Sequence, residues 1–402
     1  MKPTISIFGA GPAGLTAAEV AAQSGAHVTV FDHMARPGRK FLLAGRGGLN
    51  LTHAEPLEAF LTRYGAGATR VSAYVRAFPP SAVRDWAHGL GQETFEGTSR
   101  RVFPVAMKAS PLLRAWLQRL SSLGVQFVGH SRWVGFTDTP GIALVQRDGA
   151  IESLASDAVV LAFGGKSWPE LGSDGRWLLP FGQAGIDVAP LEASNVGIQI
   201  DLPPKVQVLA GQPLKMVDLF VGGQRFRGEA MVTATGLEGG VIYAAGELLR
   251  TGLAKQSPLP IALDLQPNRP FDDVLARLKT RDRRRTLGPW LTKNLGLTVP
   301  SARLALSVAS SHEAAALAQT IKRAALSVIG LAPMERAISA AGGVAWSELD
   351  EHLMVKRTPG TFVAGEMINW DAPTGGYLLQ ACFATGHAAG LGALKFAQKK
   401  GG

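Results

Sequence analysis

The sequence predicts an α/β protein. A Rossmann-like dinucleotide-binding domain is split into two sequence pieces, with an antiparallel, barrel-like β domain and a helical cap inserted between them. Three observations lead there. A strand–glycine loop–helix–strand–acid unit opens the chain at Ile5–Asp32. A second strand–glycine–helix unit closes it at Gly360–Gly390. The intervening chain turns first to partial alternation and then to helical periodicity.

The opening unit reads as follows. Ile5–Phe8 is a short apolar run, suited to a buried parallel strand. In the loop Gly9-Ala10-Gly11-Pro12-Ala13-Gly14, Gly9 permits the tight turn and Gly11 lets backbone approach a pyrophosphate. Gly14 lets the next helix pack closely on the strand. Leu15–Gln23 is Ala-rich and helical, Gly25 stops it, and the amides at its start favour an anion. His27–Phe31 is the second strand. Asp32 follows it, 18 residues after Gly14, where a carboxylate accepts from ribose hydroxyls. A glycine fingerprint alone does not separate NAD from FAD.

Residues 34–53 read as a Gly-rich basic loop beside the first, carrying Arg36, Arg39, Lys40 and Arg46. Phe78-Pro79-Pro80 is a turn. Ser110, as N-cap, and Pro111 open a helix over Leu112–Leu123, and Val125–Val128 is a strand. Ala158–Ala162 is a buried strand that runs into Gly164-Gly165 at the carboxyl edge of the sheet.

Residues 196–250 alternate between glycine turns, as an antiparallel sheet or small barrel does; no second GxGxxG occurs there. Residues 271–330 read as helical. The basic run Arg281-Asp282-Arg283-Arg284-Arg285 falls on a predicted helix. Thr361–Ala364 is a strand, Gly365-Glu366 sits at its end, and Gly375-Gly376-Tyr377 precedes a helix over Leu378–Ala389. The expected domains are 1–190 with 338–402 for the dinucleotide, 191–262 with 326–337 for the barrel-like part, and 263–325 for the cap.

Composition bounds the function. The chain has 402 residues, 46% of them hydrophobic, enough for two or three cores. A single cysteine, Cys382, excludes an internal disulfide and a CxxC redox pair. The N-terminus lacks the build of a signal peptide, no segment reads as a membrane span, and a cytoplasmic location is the default. The formal charge of +10 leaves a nucleic-acid partner open beside a solvated basic surface. No Ser-His-Asp constellation or metal spacing stands out. His387 reads as structural, and no general base is assigned.

Four motifs carry a family resemblance over nearly the whole chain: GAGPAG at 9–14, GRKFLLAGRGGLNLTH at 38–53, VVLAFGGKSWPELGSDG at 159–175 and GEMINWDAPTGGYLLQACFATGHAAG at 365–390. With these the sequence resembles the bacterial two-dinucleotide-fold FAD flavoproteins related to aminoacetone oxidase and to bile-acid-reducing flavoproteins. It departs from the family's GGGRCN at Gly45-Arg46-Gly47-Gly48-Leu49-Asn50, which lacks the cysteine. It departs from GGYNLQ at Gly376-Tyr377-Leu378-Leu379-Gln380.

The resemblance implies non-covalent FAD and hydride transfer between a small amine or enone-like substrate and flavin N5, with oxygen or NAD(P)H as the partner oxidant or reductant. It implies that Gly9, Gly11, Pro12, Ala13 and Gly14 surround the pyrophosphate and that Asp32 holds the adenosine ribose. Arg39, Lys40, Arg46 and Asn50 are expected along the dinucleotide. Gly164, Gly365 and Glu366 are expected at its ribityl–pyrophosphate part. Gly375, Gly376, Tyr377 and Leu378 are expected at the isoalloxazine. The alternatives are a flavin-containing nucleic-acid-binding or RNA-modifying protein and an NAD(P)-only dehydrogenase.

Overall fold

A computed structural model describes residues 2–44, 47–282 and 284–400. The chain forms two compact units, Met1–Glu192 with Ser339–Gly402, and Ala193–Ile338.

The first unit is built on a five-stranded parallel sheet. Its order is Thr361–Val363, Ala158–Leu161, Thr4–Phe8, His27–Phe31, Gln126–Val128. All four pairings are parallel, with Ile5 opposite both Val28 and Ala158. Ala158–Leu161 and Thr361–Val363 are buried at every position, which is why they read as continuous apolar runs rather than alternating ones. The C-terminal strand thus lies beside the strand that ends at Gly164.

Helix Pro12–Gln23 follows the first strand, and helix Tyr377–Lys400 packs on it. Small residues allow that approach. A Cβ on Gly386 would sit 2.3 Å from the Ala13 carbonyl oxygen, and one on Gly390 would sit 2.7 Å from that of Ala17. The buried Glu19 anchors the other side of the N-terminal helix. It accepts from the indoles of Trp116 (2.7 Å) and Trp86 (3.0 Å) and from Arg119 (2.9 Å). Removing one partner from such a buried, hydrogen-bonded carboxylate leaves charge uncompensated and costs about 3–5 kcal/mol.

The unit also carries two small antiparallel sheets. One orders Thr52–His53, Arg101–Pro104 and Thr94–Glu96; the other is formed by Arg132–Phe136, Ile142–Arg147 and Ala150–Ala155.

In the second unit six strands close a barrel: Ile198–Ile200, Gly236–Glu238, Gln224–Val232, Pro213–Val221, Leu259–Asp264 and Ala324–Leu331. Closure leaves no free edge. Helices Phe271–Lys279, Leu287–Leu295, Val299–Val308 and Ala314–Lys322 share one hydrophobic core with it.

Several local expectations are corrected. Ala324–Leu331, read with the helical stretch, is a strand. Its first six residues alternate buried and exposed, and it pairs with Leu259–Asp264. Arg281 and Asp282 lie between helices, where the Asp282 carboxylate accepts from the Arg284 amide at 3.0 Å and turns the chain; Arg283 lies outside the described residues. Helix Ala109–Ser122 is capped at Lys108, not Ser110. Pro111 is tolerated there because first-turn amides have no intrahelical acceptor. Part of the expected basic loop is a helix, Arg39–Ala44. The last helix runs on to Lys400, past the expected end at Ala389.

Candidate functional site

The sheet places three strand ends side by side, at Gly9, Ala162 and Ala364, and one cavity opens over them. Gly9 has φ +104°, and a Cβ there would lie 2.3 Å from the Ala162 carbonyl oxygen. The turn therefore crosses the end of the neighbouring strand at a distance only glycine allows. Gly14 sits beneath it, where a Cβ would meet the Gly9 carbonyl oxygen at 2.0 Å. Gly11 differs: φ is −87°, and nothing lies within 4 Å of where its Cβ would be. Packing does not require a glycine there, and the bare backbone leaves room for a ligand's close approach.

Asp32 ties the loop to the next strand. Its carboxylate accepts from the Ala10 amide and the Met34 amide, each at 2.7 Å, and it lines the cavity. A carboxylate has about four lone-pair directions, so two backbone amides leave capacity for hydroxyl groups.

Across the cavity the C-terminal piece contributes Gly365 and Glu366. The Glu366 carboxylate is buried. It takes Lys40 Nζ at 2.8 Å and the amides of Ala340 at 2.9 Å and Gly165 at 3.3 Å. Lys40 also donates to Ser167 Oγ at 2.6 Å. The pair joins the basic helix to the ends of both sequence pieces, so the expected contacts of Lys40 and Glu366 with the dinucleotide compete with firm protein partners. Cys382 lines the same cavity, and burial pushes its thiol up to about 12, far from a reactive thiolate.

The cavity thus joins Gly9, Gly11, Pro12, Ala13, Asp32, Arg39, Lys40, Gly164, Gly365 and Glu366. Gly14 supports it from below. Arg46 lies outside the described residues. Asn50, Gly375, Gly376, Tyr377 and Leu378 do not line it. They gather instead around the small sheet. A Cβ on Gly376, at φ +95°, would lie 2.6 Å from Thr52 Cα. The Tyr377 ring stacks on His53 at 5.4 Å, its hydroxyl donates to Glu55, and Tyr64 donates to its carbonyl at 2.9 Å. Burial, then Glu55, pushes the Tyr377 hydroxyl well above its ordinary value. His387 packs on Phe78 at 5.0 Å, and burial lowers its pKa, in keeping with a structural role.

The residues present fit a large polar ligand. Among the described residues Asn50 Oδ1, Ser173 Oγ and Thr358 Oγ1 are buried with no partner, and Ser173 lines the cavity. Buried polar atoms are normally paired, so the orphan in the cavity wall is a place where a polar ligand would complete the bonding. Ser173 was missed in the sequence; its signal was the Gly172-Ser173-Asp174-Gly175 turn following the paired glycines. Among the described residues no cluster of His, Cys, Asp or Glu could hold a metal, and no helix is long and apolar enough to cross a membrane.

The family model for the HI0933-like protein Rossmann domain matches residues 3–392. The chain is 24% identical to the 3-dehydro-bile acid delta(4,6)-reductase of Clostridium scindens, over 97% of this chain and 98% of that one. It is 27% identical to the ribosomal RNA dihydrouridine synthase of Escherichia coli, over 93% and 94%. A solved 3-ketosteroid-delta4-(5alpha)-dehydrogenase from Rhodococcus jostii RHA1 shares the fold. Its TM-score is 0.54 at 18% identity, with 98% of this chain and 97% of that one covered.

Proposed function

The chain belongs to the HI0933-like Rossmann family, and from that premise we propose that, as an FAD-dependent oxidoreductase, it saturates a carbon–carbon double bond conjugated to a carbonyl. The observation that carries the reading is shared chemistry. A 3-dehydro-bile acid with unsaturation at positions 4 and 6 and the uracil ring of a uridine both present such a bond, and both relatives align along nearly the whole chain. The amine reading and the NAD(P)-only reading have no comparable support.

Bound FAD would supply the hydride equivalent; the protein supplies binding, orientation and electrostatics. Gly11, with the amides at the start of helix Pro12–Gln23, would hold the pyrophosphate. Asp32 would take the adenosine ribose, and Ser173, in the cavity wall, would complete its bonding on the ligand. The turn at Gly375–Leu378, which lies outside the cavity wall, would face the ring end of the cofactor.

A second reading places the substrate double bond within RNA. The charge favours it: residues 193–338 hold 18 Lys or Arg against 11 Asp or Glu, and so carry most of the excess of +10.

The test is anaerobic. The flavin is reduced with NADH, NADPH or dithionite and then mixed with 4-androstene-3,17-dione, a uridine-containing oligoribonucleotide, or a saturated ketone. Re-oxidation by a conjugated carbonyl compound and not by the ketone supports the proposal. Re-oxidation by oxygen or ferricyanide alone overturns it.

A further inference from the structure

We infer that the open face of the small sheet Thr52–His53, Arg101–Pro104 and Thr94–Glu96 is the substrate platform, with Arg101 holding the substrate's carbonyl oxygen. The inference rests on the conjugated-carbonyl reading above and on the ring end of the cofactor lying at Gly375–Leu378.

The strand Arg101–Pro104 alternates. Val102 and Pro104 are buried, whereas Arg101 and Phe103 are only partly covered. Residues two apart on a strand share a face. His53 is paired directly with Arg101, and Phe95 with Phe103, so these four side chains share one face. Its apolar half is formed by Phe95 and Phe103, stacked at 5.8 Å. Met107 adjoins it, since the space a Gly48 Cβ would fill lies 2.6 Å from Met107 Cε and 3.7 Å from the Phe103 ring. Phe95 remains 40% exposed and Met107 38%, so the apolar half of the face is open.

The polar half meets the C-terminal turn. Arg101 Nε lies 3.8 Å from where a Gly375 Cβ would be, and His53 stacks on Tyr377. Among the described residues Arg101 has no carboxylate partner. The nearby acid, Glu55, is taken by Arg63 at 2.6 Å and by the Tyr377 hydroxyl. His53 is held below its ordinary pKa by burial, with Arg101 adding to the effect, so it does not bring a second cation. Asn50, with its orphan Oδ1, lies between Leu49 and Leu51, whose amides bond to the carbonyls of Met107 and Val102 at 2.9 Å. Among the described residues the face therefore ends in a guanidinium without a carboxylate partner, beside the turn assigned to the ring.

A flat apolar molecule with one carbonyl fits such a face: rings on Phe95 and Phe103, oxygen on Arg101. The chemistry gives the cation a purpose. A hydride equivalent adds at the carbon β to the carbonyl, and the π pair moves onto the carbonyl oxygen as an enolate. Water then delivers a proton to the α carbon, and the reduced flavin of the proposed function ends oxidised. Arg101 stabilises the oxygen as its charge develops. A free enone and a uracil ring share this chemistry.

The experiment begins with binding, not turnover. Oxidised, FAD-loaded protein is titrated with 4-androstene-3,17-dione and, separately, with a uridine-containing oligoribonucleotide, read by the flavin difference spectrum. Arg101→Met should keep full FAD and normal re-oxidation by ferricyanide, yet bind the responding probe about 10- to 100-fold more weakly, the scale of one hydrogen bond to a charged group. Arg101→Lys should recover much of that loss, and Phe103→Ala should weaken binding of the steroid most. The probe that responds identifies the source of the carbonyl. If Arg101→Met and Arg101→Lys both bind and re-oxidise with the probes as the wild type does, the Arg101 assignment is overturned and the reductase reading stands. If wild-type reduced protein is re-oxidised by ferricyanide but by neither probe, the reductase reading fails and the platform with it.

Discussion

The two glycine turns of the first unit look alike in sequence and differ in what they need. At Gly376 a side chain has nowhere to go, because the backbone of Thr52 lies 2.6 Å from its Cβ position and φ is +95°. At Gly11 the backbone is extended in ψ, φ is ordinary, and the space is empty. The first glycine serves the protein's own packing; the second does not, and in the function proposed above its open space is filled by the cofactor. A glycine that the fold does not require, in a loop that ends a parallel strand, is a sharper mark of a ligand than the fingerprint spacing.

The comparison predicts opposite behaviour in the apoprotein. The largest effect is expected for Gly376→Ala, which should lose about 2–4 kcal/mol of stability from overpacking and a left-handed backbone. Thermal melts of flavin-free protein read this directly. An unchanged melt would mean that Thr52 yields, and the contrast between the turns would disappear.

Asp32→Ala comes next. It should weaken FAD by about 1.5–3 kcal/mol, the scale for hydrogen bonds to a charged group. FMN, which has no adenosine, should bind the mutant no worse than it binds the wild type. Equal loss of both would show that Asp32 acts by holding Ala10 and Met34 rather than the ribose.

The smallest effect concerns the C-terminal helix alone. The folded pKa of His387 lies below its ordinary 6.5 because of burial. Its contribution is therefore complete above about pH 6.5 and is lost as the pH falls through and below that value, since the unfolded chain binds the proton more readily. His387→Phe should flatten that part of the stability profile between pH 7 and 5. A profile identical to the wild type's would place the acid sensitivity elsewhere.

Much of the architecture was legible because it rests on local signals. The loop at 9–14, the acid at 32 and the buried strands at 158 and 361 each carry a periodicity or a turn residue that admits one reading. The strand Ala324–Leu331 was hidden because it follows directly on a helix, and its alanines and leucines suit either period. The helix Arg39–Ala44 was hidden by the glycines on both sides. The small sheet was the costliest omission. Its strands are two to four residues long, and His53 and Arg101 meet only through a pairing that spans 48 positions of sequence. The run Arg101-Val102-Phe103-Pro104 shows no polar–apolar alternation to mark it; the alternation is in its burial. Lys40 and Glu366 were each expected along the dinucleotide, but their mutual ion pair depends on both sequence pieces returning to one sheet edge, which no local pattern encodes.

The most direct test of the central claim is Gly11→Val, purified and assayed for bound flavin and for the melting temperature of the apoprotein. The account predicts a colourless protein whose apo form melts within about 2 °C of wild-type apoprotein, since a side chain there meets only open space and the change should fall within the ±0.5 kcal/mol of an ordinary surface substitution. A Gly11→Val protein that stays yellow with full FAD occupancy would contradict it, because the pyrophosphate could then not lie against Gly11.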